Sequence, residues 1–218
     1  MHHTLQTIYD KRFAGAEEAR ERVWRVLTQH FFQRWVRPAD VIVDVGAGYC
    51  EFINNIRAGA KFALDLNPAT PLKARSEVTV LNQDITSPWA LTSESADVVF
   101  SSNFFEHLPT KEALQHCFGE IFRVLRPGGR LLAMGPNIRF CYDVYWDFFD
   151  HFLPLSDRSV AEALEICGMQ VERIIPRFLP FTMKGKMPPP PVFIRLYLLI
   201  PALWTAMGKQ FLVIARKP

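Results

Sequence analysis

Apolar residues in this chain fall into short runs separated by longer amphipathic stretches, and the two patterns predict different elements. Short apolar runs, several of them rich in valine and isoleucine, predict strands at 41–45, 61–65, 78–82, 96–101, 130–134, 169–175 and 210–216. Helical spacing of apolar positions, with plausible caps and stops, predicts helices at 16–36, 51–58, 110–125 and 156–168. Alternation of strands and helices predicts a parallel α/β sheet.

The last two predicted strands, 169–175 and 210–216, lack a clear crossover helix in the usual place. Parallel neighbours need such a crossover, so these strands can instead form an antiparallel pair at one edge. The predicted fold class is therefore α/β: a seven-stranded, mostly parallel sheet with helices on both faces and an antiparallel last strand. A length of 218 residues fits a single domain, 1–218.

An apolar run at 192–207 follows four consecutive prolines at 188–191. The run spans 16 residues and contains Arg195 and Pro201, whereas a membrane-spanning helix needs about 20 apolar residues. It is better interpreted as a helix that lies on an apolar surface, which can be the protein's own core, a second copy of the chain, or a membrane. Core or dimer packing is the default. The membrane remains an alternative because basic residues surround the run: Arg177, Lys184, Lys186, Arg195 and Lys209.

Charge is distributed unevenly along the chain. Residues 173–218 contain eight Lys or Arg and no Asp or Glu, while the remaining residues carry 17 basic and 22 acidic side chains. A basic segment on an acidic body indicates the kind of partner and does not indicate the fold. The segment lacks the interleaved aromatic residues of a nucleic-acid groove, so no nucleic-acid partner is expected.

The four cysteines, Cys50, Cys117, Cys141 and Cys167, show no CxxC spacing, which argues against a zinc site or a disulfide framework. Reduced thiols are typical of the cytoplasm, and residues 1–13 lack the apolar core of a signal peptide. The expected location is the cytoplasm, and the sequence leaves open an additional peripheral contact with a membrane. Within the domain, 1–37 is expected to form an N-terminal lid and helix, and 177–209 a basic apolar insertion before the last strand.

The first predicted strand runs into a glycine-rich turn, Gly46-Ala47-Gly48. Glycines allow the backbone to approach a ligand closely, and helix N-terminal amides attract a carboxylate or a phosphate. Acidic residues stand at the ends of the first three predicted strands: Asp44, Asp65 and Asp84. An acid after the second strand is at the distance expected for binding ribose hydroxyls. The pattern therefore predicts an adenosine site.

Two cofactor classes fit an adenosine site of this kind. The dinucleotide pattern GxGxxG would place its third glycine at position 51, where this chain has Glu51. A carboxylate at that point is unfavourable beside a pyrophosphate. S-adenosylmethionine (SAM) carries no phosphate, and its cationic α-amino group would be favoured near Asp44. These considerations favour SAM over a nicotinamide cofactor.

Five segments resemble the class I SAM-dependent methyltransferases, specifically the small type 11 domains. They are DVGAGYCEF (44–52), ALDLNP (63–68), NQDI (82–85), ADVVFSSNFFEHL (96–108) and IFRVLRPGGRLLAMGPN (121–137). The resemblance covers about 41–132, with weaker agreement out to the last strand. It implies a Rossmann-like fold, SAM as the cofactor, and an enzyme that transfers a methyl group. Cys50 departs from the pattern, because many relatives carry glycine there.

The resemblance also implies roles for matched positions. Those expected at the cofactor are Asp44, Gly46, Ala47, Gly48, Asp65, Leu66, Asp84, Ile85, Asn103 and Phe104. The glycines would line the methionine part, Asp65 would hold the ribose hydroxyls, and Asp84 with Ile85 would meet the adenine edge. Asn103 and Phe104 would lie near the sulfonium and the acceptor.

His151 is the candidate catalytic residue on the acceptor side. It ends the segment YWDFFDH, and a histidine among acids can act as a general base near neutral pH; packing among aromatics is the alternative. His107, after Glu106, is open to a capping or a catalytic role. Six aromatic residues can form an acceptor pocket or ordinary core: Phe140, Tyr142, Tyr145, Trp146, Phe148 and Phe149. Near the N-terminus, Tyr9, Arg12 and Phe13 can form a lid over the cofactor or an ordinary surface segment.

The expected reaction is methyl transfer from SAM to a small-molecule, glycan or lipid-linked acceptor, with O-methylation favoured. No metal-ligand spacing is evident in the sequence, so metal independence is expected. The alternative is a SAM-binding or scaffold protein of the same fold without catalysis. Measured turnover distinguishes the two. The sequence leaves open whether two copies of the chain form a homodimer.

Overall fold

The computed structural model describes residue 15, residues 17–181 and residues 189–218. The lid candidates Tyr9, Arg12 and Phe13 lie outside the described residues, as do Lys184 and Lys186 of the basic segment.

A seven-stranded sheet forms the centre of the protein. Its strands are β1 (Val41–Val45), β2 (Ala60–Leu64), β3 (Val78–Leu81), β4 (Ala96–Ser102), β5 (Leu125–Pro136), β6 (Gln170–Leu179) and β7 (Gln210–Arg216). The strand order is β3-β2-β1-β4-β5-β7-β6, and β1 to β5 are parallel to one another. Strand β7 lies antiparallel between β5 and β6. The predicted mixed sheet with an antiparallel last strand is confirmed.

Seven α-helices are present among the described residues: α1 (Glu17–His30), α2 (Thr70–Lys73), α3 (Lys111–Val124), α4 (Ile138–Tyr145), α5 (Asp157–Ile166), α6 (Pro191–Leu199) and α7 (Pro201–Met207). Single 3₁₀ turns occur at Phe32–Trp35 and Phe105–His107. Thr110 caps α3 by accepting a hydrogen bond from the nitrogen of Ala113, and Ser156 forms a capping box with Ser159 at α5. Both caps satisfy amides that a helix start leaves without an intrahelical partner.

Two predicted helices differ from the structure. Residues 51–58 form successive turns instead of a helix. The left-handed backbone of Cys50, at φ +63°, redirects the chain there, and the Asn54 side chain bonds the Lys73 carbonyl and the Arg75 nitrogen outside the segment. The run 192–207 forms two helices because Pro201 has no amide hydrogen to continue the first one.

The strands send alternate side chains to two apolar layers, one on each face of the sheet. In β1, Ile42 joins the layer that includes Phe31 and Trp204, and Val43 joins the opposite layer with Phe118. All of these side chains are buried. Because successive strand residues face opposite sides, a strand buried on both faces is mostly apolar, and the buried Asp44 is the exception in β1.

Helices α6 and α7 cover the first of these layers with one face only. Ile194, Leu198 and Trp204 are buried in it. The outer face exposes six large apolar side chains: Val192, Phe193, Leu196, Leu199, Ile200 and Met207. Within the described parts of the chain, no helix has the length and apolarity to cross a membrane. Core packing therefore accounts for only three side chains of the apolar run, and most of the run is exposed to solvent.

Candidate functional site

The turn after β1 depends on glycine for two reasons. Gly46 and Gly48 have φ values of +73° and +52°, in the left-handed region that disfavours side chains. A Cβ added to Gly46 would also lie 2.4 Å from Cγ of Phe104. The nitrogen of Gly46 donates to the Leu64 carbonyl at 2.9 Å, which holds the turn against the end of β2. The turn therefore presents bare backbone at this edge of the sheet.

Asp65 follows β2 and accepts hydrogen bonds from the same turn. Its Oδ2 accepts from the nitrogen of Gly48 at 2.6 Å, and its Oδ1 accepts from the nitrogen of Asn67 at 2.7 Å. Burial nevertheless raises the pKa of Asp65, because desolvation outweighs these bonds. Each carboxylate oxygen has a second lone pair with which it can accept from a ligand hydroxyl.

Asp44 is buried in β1, close to two further carboxylates. Burial, followed by the charges of Asp65 and Glu51, holds the pKa of Asp44 well above its usual value, although a hydrogen bond from the Ile53 backbone lowers it. Glu51 accepts a hydrogen bond from Nε of Arg20 on α1 at 2.6 Å. These clustered carboxylates oppose a pyrophosphate, and a cationic group bound beside them would stabilise their ionised form.

Cys50 is a buried residue of the turn without the features of a reactive thiol. Burial raises its pKa, and the carboxylates of Asp44, Asp65 and Glu51 raise it further. Its Sγ lies 3.7 Å from the Thr70 carbonyl oxygen. The thiolate form is therefore disfavoured, and Cys50 serves as a small buried residue in the turn.

Asp84 lies beyond the end of β3, next to the β2 end that carries Asp65 and the half-buried Leu66. Asp84 is exposed, and its Oδ1 accepts from the nitrogen and hydroxyl of Thr86 at 2.9 and 2.7 Å. Ile85 is buried in the core layer. Asn82 joins the two strand ends, because its Nδ2 donates to the Asp65 carbonyl at 2.9 Å. Sequence reasoning did not single out Asn82, although it begins the NQDI segment.

Asn103 and Phe104 follow β4. Asn103 has a φ of +50° and donates its nitrogen to the Met134 carbonyl at 2.9 Å, so the chain turns sharply at the end of the strand. This turn brings the Phe104 ring over Gly46. The structure thus brings together the glycine turn, Asp65 and the segment after β4.

A second group of polar side chains lies directly beyond Phe104. Glu106 is 2% exposed, and Nε2 of His107 lies 3.8 Å from its Oε1. His151 is 7% exposed, with its ring 5.0 Å from the His107 ring. The sequence pattern did not connect Glu106 and His107 with His151, because 43 residues separate the two histidines along the chain.

The six aromatic residues in the segment before His151 do not share one environment. Tyr145 is fully buried, while Phe140 and Phe148 are half-buried. Tyr142, Trp146 and Phe149 are exposed by 74%, 57% and 89%. They are therefore neither uniform core nor a closed pocket. The Phe148 ring stacks on His151 with 4.9 Å between centroids.

Residues 43–133 match a protein family described as a methyltransferase domain. A SAM-dependent methyltransferase from Archaeoglobus fulgidus aligns over 98% of this chain and 99% of its own, with 18% identity and a TM-score of 0.68. One from Thermotoga maritima aligns over 97% and 99%, with 15% identity and a TM-score of 0.66. A Haloferax volcanii chain solved with a methyltransferase activator aligns over 98% and 93%, with 17% identity and a TM-score of 0.65. No curated protein matches.

The structural neighbours share the fold, and the family match covers the glycine turn and the ends of β2 to β4. The neighbours thus show a fold found in SAM-dependent methyltransferases, and the family match shows that residues 43–133 resemble a methyltransferase domain.

Proposed function

We propose that this protein is a class I SAM-dependent methyltransferase, an enzyme that transfers the methyl group of S-adenosylmethionine to an oxygen atom of a small-molecule, glycan or lipid-linked acceptor. One observation carries the proposal: Phe104 packs over Gly46 and leads directly into Glu106 and His107. The turn expected at the methionine end of the cofactor is therefore adjacent to a cluster of acid–base side chains. Since the sulfonium is already activated, alignment of acceptor, methyl and sulfur is the main requirement.

The proposed cofactor site follows the ends of four parallel strands. Asp44 would attract the ammonium of SAM, and the backbone of Gly46, Ala47 and Gly48 would line the methionine part. Asp65 and Leu66 would hold the ribose, Asp84 and Ile85 the adenine edge, and Asn103 and Phe104 the sulfonium end. The free lone pairs of Asp65 and the high carboxylate density around Asp44 support these roles.

His151 is the proposed general base for a hydroxyl acceptor. Its imidazole packs between Phe148 and Tyr145, at 4.9 and 4.8 Å between ring centroids, and these contacts fix the ring's position. A positioned imidazole can take a hydroxyl proton near neutral pH. The exposed rings of Tyr142, Trp146 and Phe149, in the chain segment that leads to His151, would favour an acceptor with an apolar or aromatic part.

The outer face of α6 and α7 supports a peripheral contact, either with a membrane that carries a lipid-linked acceptor or with a second copy of the chain. Apolar side chains are exposed there beside Arg195. We place the reaction in the cytoplasm, which agrees with free thiols at Cys50, Cys117, Cys141 and Cys167.

A turnover screen with SAM and mass detection tests the proposal against sugars, phenols, amines and isoprenoid lipids. The expected product is an acceptor 14 mass units heavier, with the methyl group on oxygen, formed together with S-adenosylhomocysteine. Methylation of amines alone would contradict the assignment to oxygen. Turnover on no acceptor, together with tight SAM binding, would favour a non-catalytic role.

A further inference from the structure

Three side chains able to ligate a metal ion converge at the end of the sheet beyond β4. One ligand atom from each of Glu106, His107 and His151 lies within 4.8 Å of the other two. Glu106 and His107 belong to the 3₁₀ turn Phe105–His107, and His151 lies in the loop after α4. The cluster contains one carboxylate and two imidazoles, a donor set found in catalytic zinc sites.

The hydrogen bonding of His107 prepares one ring nitrogen for a metal. Its Nδ1 lies 2.7 Å from the Asp150 carbonyl oxygen. A carbonyl only accepts, so Nδ1 carries the hydrogen, and in the neutral ring Nε2 keeps its lone pair. That nitrogen faces Oε1 of Glu106, at 3.8 Å. Metal-binding histidines characteristically donate their other nitrogen to a carbonyl or a carboxylate, which fixes the ring.

Main-chain hydrogen bonds hold the two ligand-bearing segments together. The Glu106 carbonyl accepts from the nitrogens of Phe152 and Leu153 at 2.8 and 3.1 Å. The buried Tyr145 hydroxyl bonds the Leu153 carbonyl and accepts from the nitrogen of Leu155 at 3.2 Å. The side chains are thus carried by a braced backbone, which is what a preorganised metal site requires.

We propose that Glu106, His107 and His151 bind one divalent transition-metal ion, with zinc the best match to the donor set. Imidazole ligands favour zinc and similar metals, whereas magnesium and calcium prefer oxygen ligands throughout. Glu106 and His151 are nearly buried, and a cation offsets part of the cost of burying a carboxylate. A metal ion at this site would contradict the metal independence that the sequence predicts.

The metal also bears on catalysis, and this part rests on the proposed O-methylation. Three protein ligands leave a position for an acceptor hydroxyl, whose pKa the metal lowers. The hydroxyl proton leaves to water, and an oxygen lone pair forms the bond to the methyl carbon. The carbon–sulfur bond breaks in the same step, with its electron pair on sulfur. In the metal-bound enzyme His151 is a ligand, and the metal replaces it as the means of activating the hydroxyl.

Zinc titration of the chelator-treated, full-length protein against a chromophoric chelator tests the site. We expect one zinc ion per chain, bound at least about 100-fold more weakly by His107→Ala and by the nearly isosteric Glu106→Gln. The exposed His116 on α3 supplies a matched control, His116→Ala, which should bind zinc as the unmodified chain does. A His2→Ala/His3→Ala variant, which removes the adjacent histidines of the sequence, should also retain the site.

Cobalt substitution gives a second readout. The unmodified protein loaded with cobalt should show the visible absorption bands of a tetrahedral nitrogen–oxygen site, and His107→Ala should not show them. Three results would overturn the site. One is the absence of stoichiometric zinc binding, the second is unchanged zinc binding in folded His107→Ala, and the third is loss of zinc binding in the His2→Ala/His3→Ala variant. SAM binding is measured separately by calorimetry, so failure of the metal site and failure of the methyltransferase assignment remain distinguishable. Once an acceptor is known, turnover lost on chelation and restored by zinc supports the catalytic role, and turnover unaffected by chelation overturns it.

Discussion

Gly48 and Asp65 are joined by a 2.6 Å hydrogen bond from the main-chain nitrogen of Gly48 to Oδ2 of Asp65. The bond connects the turn after β1 with the end of β2, so the two proposed contacts to SAM form one unit. A change at either residue should therefore affect both ligand binding and the conformation of the turn.

Asp65→Ala should weaken SAM binding by at least about tenfold, since charge-assisted hydrogen bonds contribute roughly 1.5–3 kcal/mol each and tenfold needs only about 1.4 kcal/mol. It should also lower the melting temperature, because the amides of Gly48 and Asn67 lose their acceptor. Calorimetry and thermal unfolding measure the two effects. Asp65→Asn is the control that retains one acceptor oxygen and should lose less stability. Unchanged affinity in Asp65→Ala would mean that Asp65 does not contact the ribose.

Gly46→Ala should destabilise the fold by at least about 1–2 kcal/mol, the usual cost of a left-handed backbone for a residue with Cβ. The new Cβ would also collide with Phe104, whose Cγ lies 2.4 Å from its position. Urea unfolding at equilibrium measures the loss. Gly46→Ala/Phe104→Ala removes the collision and retains the strain, so it should lose less than the two single changes combined. Full additivity would argue against the contact.

Asp44 should make the protein less stable as the pH rises. Its pKa is raised well above the usual value, chiefly by burial, so the folded state holds a proton that the unfolded chain has already released above about pH 3.9. This contribution is therefore lost as the pH rises through the folded pKa. Urea unfolding between pH 5 and pH 8 should show a flatter dependence for Asp44→Asn, which stays neutral and can still accept from Ile53.

SAM binding gives the opposite trend with pH at the same residue. A cationic ammonium favours the carboxylate form of Asp44, so SAM affinity should rise with pH in the unmodified enzyme and rise less in Asp44→Asn. Identical pH profiles of affinity would contradict the proposed contact between Asp44 and the ammonium.

His151→Ala should lower turnover by roughly a hundredfold or more while SAM affinity stays nearly intact. Both roles proposed for His151, general base and metal ligand, require this result, and the zinc titration distinguishes them. Steady-state kinetics and calorimetry on the same preparation provide the measurement. Near-normal turnover at neutral pH would reduce His151 to a packing residue or indicate an amine acceptor that needs no base.

Leu198 and Leu199 provide a matched pair on α6, because they are 5% and 77% exposed. Leu198→Asp buries a charge in the core and should cost at least about 3 kcal/mol, or prevent folding. Leu199→Asp should change stability by no more than about 0.5 kcal/mol. Chemical unfolding measures both, and equal destabilisation would contradict the orientation of α6.

The same Leu199→Asp variant tests the outer face of α6 and α7. Membrane docking predicts that the unmodified protein sediments with anionic vesicles at low salt, less so at high salt, and that the variant does so weakly. Packing between copies predicts instead a dimer that Leu199→Asp separates, with no dependence on vesicles.

Local pattern was sufficient to predict most of the elements. The β-branched runs specified strands that are buried on both faces, and Thr110 and Ser156 specified helix starts, because caps depend on residues within one turn. Glycines at 46 and 48 specified a turn with left-handed backbone. The helix predicted at 51–58 was wrong, and Asn54 in that segment bonds backbone groups about 20 residues away, a contact that periodicity does not contain.

The sequence by itself thus determined the strand and helix pattern, the glycine turn and the acids at the strand ends. Only the tertiary structure decided that β7 lies between β5 and β6, and that Leu198 is buried while the adjacent Leu199 is exposed. It also decided that Glu106 and His107, which precede β5 in the chain, meet His151, which follows β5. These relationships depend on the packing of segments far apart in the chain, and neither residue type nor spacing encodes that packing locally.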